Sequence, residues 1–309
     1  MNLSIQLASK NKHGLLLANP VMTASGTFGY GTEYGHTFDI QMLGAIVCKG
    51  TTIKPRTGNH PPRLVETACG ALNSIGLQNI GVEVLIKEKA PLWASWRVPV
   101  IVNIAGETIE GYAQLASKLD GIAGISGIEV NISCPNVKAG GAEFGANSDS
   151  AAAVTAAVKA ATSLPVLVKL TPNTTDIAKV AIAVAEAGAD AISLINTFRG
   201  IAIDIAERRP LLGNIVGGLS GPAIKPVALY MVYEVAKVVE VPVVGCGGIF
   251  TASDAIEFIM AGASAIQVGT ASLSNPHAPL DVLEGIAQFM EKEGIKDIAE
   301  LIGAAQETN

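Results

Sequence analysis

Eight short apolar runs recur along the chain, and each is followed closely by glycine or by a polar residue. They are near-continuous in Val, Ile, Leu and Ala rather than alternating, as in strands that are buried on both faces of a parallel sheet. The runs are Pro20–Ala24, Ala45–Lys49, Pro99–Ile104, Gly127–Ser133, Pro165–Leu170, Ala191–Asn196, Pro242–Cys246 and Ala265–Gly269.

Helical patterns lie between these runs. One predicted helix covers Asp149–Thr162 and is capped by Ser148, and another begins at a capping box of Thr251 and Asp254 and ends at Gly262. A third has its apolar face closed by Gly188 and a fourth is the last in the chain; their apolar residues are Ile177, Val180, Ala181 and Val184, and Val282, Leu283, Ile286, Phe289 and Met290. Eight β-runs alternating with helices predict a (β/α)8 TIM barrel, with residues 1–309 as a single domain. An open, doubly wound sheet is the alternative, because periodicity does not show closure.

The composition excludes several classes of protein. A net charge of −6 and an aromatic content of 5% argue against nucleic-acid binding and against attachment to an anionic membrane. The N-terminal segment MNLSIQLASKNKHG lacks the apolar core of a signal peptide. The four cysteines form no CxxC pair. The histidines lack metal-ligand spacing, and we interpret them as surface or loop residues; they are His13, His36, His60 and His277. We therefore expect a reduced, cytoplasmic protein without a metal site of its own.

Two connections in the predicted barrel are long, and both follow the carboxyl end of a strand. They are Thr51–Ser95, after the second run, and Thr197–Val239, after the sixth. Inserted loops at this end of a barrel usually build the active site, so we expect function to collect there.

Two lysines close predicted strands at that end. Lys49 ends AIVCK and Lys169 lies near the end of PVLVKL. Such a lysine is desolvated unless an anion meets it. A surface lysine or a structural ion pair would explain either one alone. Together they indicate a bound anionic group, or an electron-rich ring that gains charge during a reaction.

Glycine clusters follow the seventh and eighth runs, at Gly245 to Gly248 and at Gly269-Thr270. Backbone N–H groups at these two positions of a barrel can hold a phosphate, and the alternative is an ordinary tight turn between strand and helix. Gly29-Tyr30-Gly31 is not a dinucleotide fingerprint, since the next glycine, Gly35, comes one place late for GxGxxG.

Cys134 is the most reactive-looking cysteine, because NISCPN surrounds it with amide and hydroxyl groups just past a strand. A thiolate there could act as a nucleophile or as a general base. Cys48 and Cys246 lie within apolar runs and are interpreted as small buried residues, while Cys69 is left undecided. The loop NSIGLQN at Asn73–Asn79 suits a small planar ligand with carbonyl, N–H and carboxylate groups, although a polar turn would look similar.

Together these segments resemble the class 1 dihydroorotate dehydrogenases. The resemblance rests on NISCPN, NSIGLQN, GCGGI from Gly245, QVGT from Gln267, and the pair of Lys49 and Lys169. The continuation VKAGG after Asn136 and the later NTFRGIAIDI resemble class 1B, the NAD-linked catalytic subunit. Phe198-Arg199 departs from the leucine-rich segment expected after Asn196-Thr197. The resemblance runs from about Ala18 to Thr270, nearly the whole chain.

This resemblance implies an FMN-containing barrel that oxidises dihydroorotate to orotate in de novo pyrimidine synthesis. Cys134 is implied as the base that takes the C5 proton while FMN receives hydride from C6, and Lys49 as a catalytic residue that touches FMN and substrate. The implied substrate-binding residues are Lys49, Asn73, Ser74, Ile75, Gly76, Leu77, Asn131, Asn196 and Thr197. The implied FMN-binding residues are Ser25, Lys49, Gly50, Asn103, Asn131, Lys169, Ile195, Gly221, Gly247, Gly248, Gly269 and Thr270.

Class 1B also implies a partner subunit that carries FAD and a 2Fe–2S cluster and passes electrons to NAD+, in a heterotetramer of two of each chain. Two related activities stay open: a class 1A-like homodimer that reduces fumarate, and a flavoprotein acting on another pyrimidine, like the related domain of dihydropyrimidine dehydrogenases. The alternative from another class is a flavin-free phosphate-binding barrel, either an isomerase or a binding protein. It leaves Cys134 and the two lysines without a shared purpose.

Overall fold

The computed structural model of the chain describes residues 1–133, 135–136 and 142–307. Its strands, in chain order, are β1 (Ile5–Gln6), β2 (Leu16–Leu17), β3 (Val21–Thr23), β4 (Ile46–Val47), β5 (Leu64–Thr67), β6 (Gly70–Asn73), β7 (Val100–Ile104), β8 (Gly127–Asn131), β9 (Pro135–Asn136), β10 (Ala142–Glu143), β11 (Val166–Lys169), β12 (Ala191–Leu194), β13 (Phe198–Gly200), β14 (Ile203–Asp204), β15 (Arg209–Pro210), β16 (Gly217–Ser220), β17 (Val243–Cys246) and β18 (Ala265–Val268).

The helices are α1 (Val82–Val84), α2 (Ala90–Trp93), α3 (Ile109–Leu119), α4 (Ser148–Ala161), α5 (Ile177–Glu186), α6 (Lys225–Ala236), α7 (Ala252–Met260), α8 (Ala271–Ser274) and α9 (Ala278–Glu293). A π-helical stretch, Leu85–Lys89, joins α1 to α2. Single 3-10 turns cover Ile40–Met42, Phe144–Ala146, Pro222–Ile224 and Ile298–Glu300.

Eight strands, one from each predicted apolar run, form a parallel sheet in the order β3-β18-β17-β12-β11-β8-β7-β4. The two end strands of that order also meet, because Met22 pairs in parallel with Ala45 just before β4. The Thr23 N–H donates to the Ala45 carbonyl at 3.2 Å, and the Gly44 N–H donates to the Val21 carbonyl at 2.8 Å. The sheet therefore closes. The predicted (β/α)8 barrel is confirmed, and the open-sheet alternative is wrong.

The barrel strands owe their composition to burial on both faces. Every residue of β3, β4, β7, β11, β12, β17 and β18 is buried. One face packs in the barrel interior and the other against the helices, so both need apolar side chains. Phe258 of α7 is fully buried, and a Cβ added at Gly245 of β17 would lie 2.6 Å from its ring. Helix and strand therefore approach closely where glycine leaves room.

Side chains cap the starts of α3, α4, α5 and α7. The capping box of Thr251 and Asp254 is present at the start of α7, as predicted. The prediction that Ser148 caps α4 is wrong, because the cap is Asn147 and the helix runs over Ser148–Ala161. The Asn147 side-chain oxygen accepts the backbone N–H groups of Asp149 at 2.8 Å and Ser150 at 3.2 Å. Because the Asn147 amide oxygen caps two N–H groups of the first turn, the helix starts one residue earlier than predicted.

An N-terminal hairpin covers the end of the barrel that lies opposite the predicted site. Strands β1 and β2 pair antiparallel, and Leu7, Leu15 and Leu17 are buried. A Cβ added at Gly127, the first residue of β8, would lie 3.7 Å from the Leu15 side chain. The hairpin therefore packs at the amino-terminal ends of the strands, where sequence periodicity gave no signal.

The two long inserts meet in a sheet of their own. Strands β5 and β6 come from the first insert, β13 and β16 from the second, and the antiparallel order is β13-β16-β6-β5. Asn73 pairs with Gly218 and Leu72 with Leu219 across the two inserts. Both inserts follow carboxyl ends of barrel strands, so this insert sheet is placed at the end where the site was expected.

Candidate active site

The barrel and the insert sheet enclose a cavity of about 650 Å³ at the carboxyl ends of the strands. Every predicted site residue that the structure describes lines this cavity. They are Ser25, Lys49, Gly50, Asn73, Ser74, Ile75, Gly76, Leu77, Asn103, Asn131, Lys169, Ile195, Asn196, Thr197, Gly221, Gly247, Gly248, Gly269 and Thr270. Cys134 lies outside the described residues, although its neighbour Ser133 lines the cavity. The individual roles of these residues stay predictions.

Lys49 brings an unpaired cation to the cavity wall. Its backbone is held at two points, by its N–H donating to the Gly29 carbonyl at 2.8 Å and by its carbonyl accepting from Thr51 Oγ1 at 3.2 Å. The half-buried side chain has no ion pair with any described residue. A cation that is partly desolvated without a protein anion favours an anionic ligand, and this argues against a structural ion pair at Lys49.

Lys169 is a second cation, and it is almost fully buried. Its side chain is 4% exposed, and Nζ donates to Gln267 Oε1 at 2.9 Å and lies 3.8 Å from Cys246 Sγ. Burial disfavours the ammonium form, but the Cys246 sulfur and the Glu129 carboxylate outweigh it and raise the pKa of Lys169. The raised pKa favours the ammonium form in the cavity wall, and the burial of Lys169 excludes the interpretation as a surface lysine.

A buried carboxylate beneath the cavity was not predicted. Glu129 of β8 is fully buried and accepts from Asn103 Nδ2 at 2.7 Å, Ser193 Oγ at 2.9 Å and Gln267 Nε2 at 2.6 Å. These residues belong to four different barrel strands, so the contacts lie inside the barrel. The signal was available in the sequence, since Glu129 is the one charged residue in the apolar run GIEVN.

Asn103 presents an acceptor that has no partner in the described part of the chain. Its Nδ2 is engaged by Glu129, while Oδ1 is buried and makes no hydrogen bond. A Cβ added at Gly50, on the cavity wall, would lie 3.1 Å from this Oδ1. Leaving a buried acceptor unpaired is costly, so this atom indicates a ligand N–H in the cavity.

Amide side chains gather at the ends of β8 and β12. Asn196 Nδ2 donates to Asn131 Oδ1 at 3.2 Å and to Ser133 Oγ at 2.9 Å. Asn131 Oδ1 also accepts the Ser133 backbone N–H at 3.2 Å. The Asn131 oxygen is thus held by protein groups, while its amide nitrogen has no acceptor among the residues that the structure describes and is left for a ligand.

Side chains of Asn79 and Asn59 hold the loop from Asn73 to Asn79 in place. Asn79 Nδ2 donates to the Leu77 carbonyl at 2.7 Å, and Asn79 Oδ1 accepts the Gly81 N–H at 2.8 Å. Gly76 and Leu77 both have positive φ, at 75° and 54°. Asn59 donates to Ser74 Oγ at 3.0 Å. The loop is therefore anchored on both sides, which argues against an incidental polar turn.

Glycine in the GCGGI segment is required by the backbone as well as by any ligand. Gly247 and Gly248 have φ of 128° and 79°, and a Cβ on Gly248 would lie 2.6 Å from the Lys225 side chain. Close packing against α6 thus explains these glycines in part. The backbone N–H groups of Gly247, Gly248 and Thr270 donate to no backbone acceptor within the described ranges. They remain available for an anion.

Several further cavity residues were missed by the sequence analysis. Glu143 accepts from Arg199 Nη2 at 2.8 Å and from Thr171 Oγ1 at 2.8 Å. Arg199, the residue that departs from the family pattern, is thus paired with an acid. Arg56, Asn59, Gln78, Asn173 and Cys246 line the cavity as well. Arg56, Asn59 and Arg199 belong to the long inserts, where no local pattern marks them. Cys246 lies on β17, and Gln78 belongs to the loop from Asn73 to Asn79.

The interpretation of Cys48 and Cys246 as buried residues, and of the histidines as surface or loop residues, is confirmed. Cys48 and Cys246 are buried, and burial raises the pKa of the Cys48 thiol to about 12. Cys69 is exposed. The four histidines are exposed. Among residues 1–133, 135–136 and 142–307, no cluster of His, Cys, Asp or Glu is placed to hold a metal ion.

The comparisons with known proteins agree with this geometry. A family model described as dihydroorotate dehydrogenase matches residues 7–290. The chain belongs to the dihydroorotate dehydrogenase family. It is 56% identical over 295 residues to the dihydroorotate dehydrogenase B (NAD(+)) catalytic subunit of Desulforudis audaxviator, covering 96% of each chain. It is 55% identical over 305 residues to the subunit of the same name from Desulforamulus reducens, covering 99% of each. The predicted resemblance to the NAD-linked class is therefore confirmed.

The fold of the family is also confirmed by a solved structure. The chain matches the crystal structure of DHODH from Eimeria tenella in complex with ferulenol with a TM-score of 0.81 and 23% identity, over 99% of this chain and 89% of that one. At this identity the likeness supports the barrel and not the details of the cavity. Within the described residues no helix is both long enough and apolar enough to cross a membrane.

Proposed function

We propose that this chain is the FMN-containing catalytic subunit of an NAD-linked dihydroorotate dehydrogenase, an oxidoreductase that converts dihydroorotate to orotate in pyrimidine biosynthesis. One observation carries the proposal: a single cavity collects the unpaired cation of Lys49, the buried amine of Lys169, and the orphaned acceptor of Asn103. A ligand with an anionic group, an electron-rich ring and a ring N–H satisfies all three. Relatives above 50% identity are named for this reaction.

The residues present fit FMN. Its isoalloxazine ring supplies a two-electron acceptor when bound. Asn103 Oδ1 would accept a ring N–H, and the ammonium of Lys169 would stabilise negative charge that develops on the ring. The N–H groups of Gly247, Gly248 and Thr270 would hold the phosphate. The other residues that we assign to FMN contacts are Ser25, Lys49, Gly50, Asn131, Ile195, Gly221 and Gly269.

The substrate is a small planar anion, and the cavity offers it the unpaired cation of Lys49 and several amides. Lys49 would attract the carboxylate and touch both substrate and FMN. The amides of Asn73, Asn131 and Asn196 would pair with the ring carbonyl and N–H groups, Asn131 through its amide nitrogen and Asn196 through its oxygen, because their other groups are held by the protein. The anchored loop from Ser74 to Leu77, together with Thr197, would complete this subsite.

Cys134 is the general base in this proposal. The C5 proton of dihydroorotate lies next to a ring carbonyl, so a positioned thiolate can remove it with assistance from enolate character. The assignment rests on the sequence and on Ser133, which borders both Cys134 and the cavity. Asn131 and Asn196 hold Ser133, the residue that precedes the proposed base in the sequence.

Electrons must leave the chain after each turnover. We propose that a partner subunit with FAD and a 2Fe–2S cluster passes them to NAD+, in a heterotetramer of two of each chain. The relatives are named as catalytic subunits of an NAD(+) enzyme, which supports a separate partner. The cytoplasmic location stays a prediction.

An anaerobic absorption spectrum of the purified chain tests the proposal. We expect a yellow protein with a visible flavin band that bleaches when dihydroorotate is added and does not bleach with dihydrouracil, which lacks the carboxylate that Lys49 would bind. A yellow protein bleached only by dihydrouracil would move the substrate to another pyrimidine. A colourless protein that also fails to bind added FMN would reject the proposal. Rapid turnover with fumarate by the isolated chain would instead favour the partner-free class.

A further inference from the structure

Glu129 is a buried carboxylate that the proposed chemistry does not use. It is fully buried on β8, and its register neighbours are Asn103 on β7 and Leu167 on β11. It does not line the cavity itself. Burying a carboxylate is expensive unless hydrogen bonds satisfy it, so its presence in an apolar strand calls for a role.

Three donors satisfy this carboxylate. Asn103 Nδ2 reaches Oε1 at 2.7 Å, while Ser193 Oγ at 2.9 Å and Gln267 Nε2 at 2.6 Å share Oε2. No lysine or arginine of the described part forms an ion pair with Glu129. Lys169 is linked to it indirectly, through Gln267.

Both oxygens of Glu129 accept hydrogen bonds, and this decides which way two amides face. Asn103 must turn its NH₂ group to Glu129, so Oδ1 is left on the cavity side, buried and without a partner. Gln267 must also turn its NH₂ group to Glu129, so Oε1 faces Lys169 and accepts from Nζ at 2.9 Å. The Glu129 carboxylate therefore sets the direction of the hydrogen bonds on both routes, through Asn103 to the cavity and through Gln267 to Lys169.

We infer that Glu129 is a positioning residue, whose carboxylate orients Asn103 to offer an acceptor to the flavin ring and orients Gln267 to hold Lys169 beside it. The inference rests on the proposed FMN site. It makes Glu129 act through two other residues, without touching the cofactor. A carboxylate that only balanced the charge of Lys169 would not need to contact Asn103.

Glu129→Gln tests the inference with little change of shape. The new amide has one oxygen and one NH₂ group. Keeping the oxygen on the side of Ser193 and Gln267 preserves two hydrogen bonds, so the NH₂ group faces Asn103. Asn103 then turns over and offers a donor to the ring N–H. We expect the affinity of the apoprotein for FMN, measured by quenching of FMN fluorescence, to fall by about tenfold or more, the usual size for one mismatched buried hydrogen bond.

A second substitution separates orientation from general damage. In Glu129→Gln/Asn103→Asp, residue 103 has an oxygen on both sides, so it accepts from Gln and still offers an acceptor to the cavity. The double variant also restores one negative charge. We expect it to regain most of the FMN affinity. Ser193→Ala is the matched comparison, because it removes a hydrogen bond to Glu129 without changing either amide, and its effect should be much smaller than that of Glu129→Gln.

The outcomes are distinct from those for the proposed function. Wild-type protein that fails to bind FMN would reject the proposed function itself. Wild-type protein that binds and bleaches, with Glu129→Gln binding FMN equally well, would overturn the inference alone. A double variant no better than Glu129→Gln would also overturn it. If Glu129→Gln does not fold, a double variant that folds and binds FMN supports the inference, and one that does not fold overturns it.

Discussion

The barrel sheet and the insert sheet of this chain differ in almost every physical respect. Seven of the eight barrel strands are buried at every residue, whereas β5 alternates exposed and half-buried positions and β16 is mostly half-buried. The barrel strands are parallel, and the insert strands are antiparallel. The barrel is stabilised by apolar burial, while the insert sheet closes over polar groups that a ligand would satisfy. Substitutions in the two regions should therefore report on different properties.

The largest effect is expected at the cavity end, for Cys134→Ser. Loss of the base should slow bleaching of the flavin by dihydroorotate by about 10²–10⁴-fold, the usual contribution of general base catalysis. FMN binding and the melting temperature should change little. Stopped-flow absorbance under anaerobic conditions measures the rate. Cys69→Ser is the matched control, since Cys69 is exposed and lies outside the proposed chemistry. A near-normal rate for Cys134→Ser would remove this residue from the mechanism.

For Phe258→Ala, deep in the barrel wall, we expect a loss of stability without a loss of FMN binding. This side chain packs on Gly245 where α7 meets β17, and its loss leaves a cavity. The free energy of unfolding should fall by about 3–5 kcal/mol, measured by urea denaturation. FMN affinity below the unfolding transition should be unaffected. Tyr230→Ala is the control, because that ring is 61% exposed on the neighbouring helix α6. Weakened FMN binding by folded Phe258→Ala would mean that the two regions are not separable.

The contrast between the two sheets also explains what could be predicted from the sequence. Barrel strands repeat one requirement, burial on both faces, so near-continuous apolar runs found all eight. The insert sheet has no such pattern. Its central pairing joins Asn73 to Gly218, residues far apart in the chain, over short strands rich in glycine and polar residues. Long-range pairing of that kind leaves no local period to detect.

The site could be predicted from the sequence where its residues lie at the ends of barrel strands. Lys49 and Lys169 were found because polar residues at the ends of buried strands are conspicuous, and Asn103 was implied by the family resemblance. Glu129 and Gln267 were missed, because they lie within strands and matter only through contacts between strands. Arg199 and Glu143 were missed for a different reason, since the insert sheet brings them together. Their pairing could not be derived from spacing along the chain.

A moderate effect with a defined pH dependence is expected for Asp254→Asn at the start of α7. Burial alone would raise the pKa of Asp254, but hydrogen bonds from Lys225, Phe250 and Thr251 outweigh it and lower the pKa. A lowered pKa in the folded state adds stability above the usual value of 3.8, and this stability is lost as the pH falls through the folded pKa. We expect Asp254→Asn to cost about 1 kcal/mol at neutral pH, the size of a capping interaction.

The difference between wild type and Asp254→Asn should shrink as the pH falls from about 5 to 3, because protonation removes the same interactions in the wild type. Urea midpoints at several pH values measure it. Glu257→Gln is the control, since Glu257 also contacts Lys225, at 2.8 Å, but accepts no backbone N–H. A difference that stays constant with pH would show that the Asp254 charge does not contribute, and that the helix start depends on shape alone.

The smallest effect is expected for Arg199→Gln on the insert sheet. Arg199 contacts Glu143 Oε1 through Nε at 3.1 Å and Nη2 at 2.8 Å; its own side chain is 64% exposed, whereas that of Glu143 is 9% exposed. Thr171 Oγ1 also donates to Glu143, so the carboxylate keeps a partner when the arginine is replaced. Ion pairs at the surface contribute about 0.2–1 kcal/mol, and salt screens them. The urea midpoint should therefore fall slightly at low ionic strength and converge with the wild type at high salt. Arg209→Gln, whose partner Glu207 lies 3.6 Å away with both side chains exposed, should have no measurable effect.

The same variant tests whether the departure from the family pattern matters for substrate. Arg199 lines the cavity, but Glu143 already neutralises it, so it adds little attraction for an anion. The KM for dihydroorotate should change by less than about threefold, whereas Lys49→Ala should raise it far more, because Lys49 has no anion among the described residues. A large rise in KM for Arg199→Gln would mean that substrate displaces Glu143 from Arg199. The ion pair of the insert sheet would then be part of the binding site.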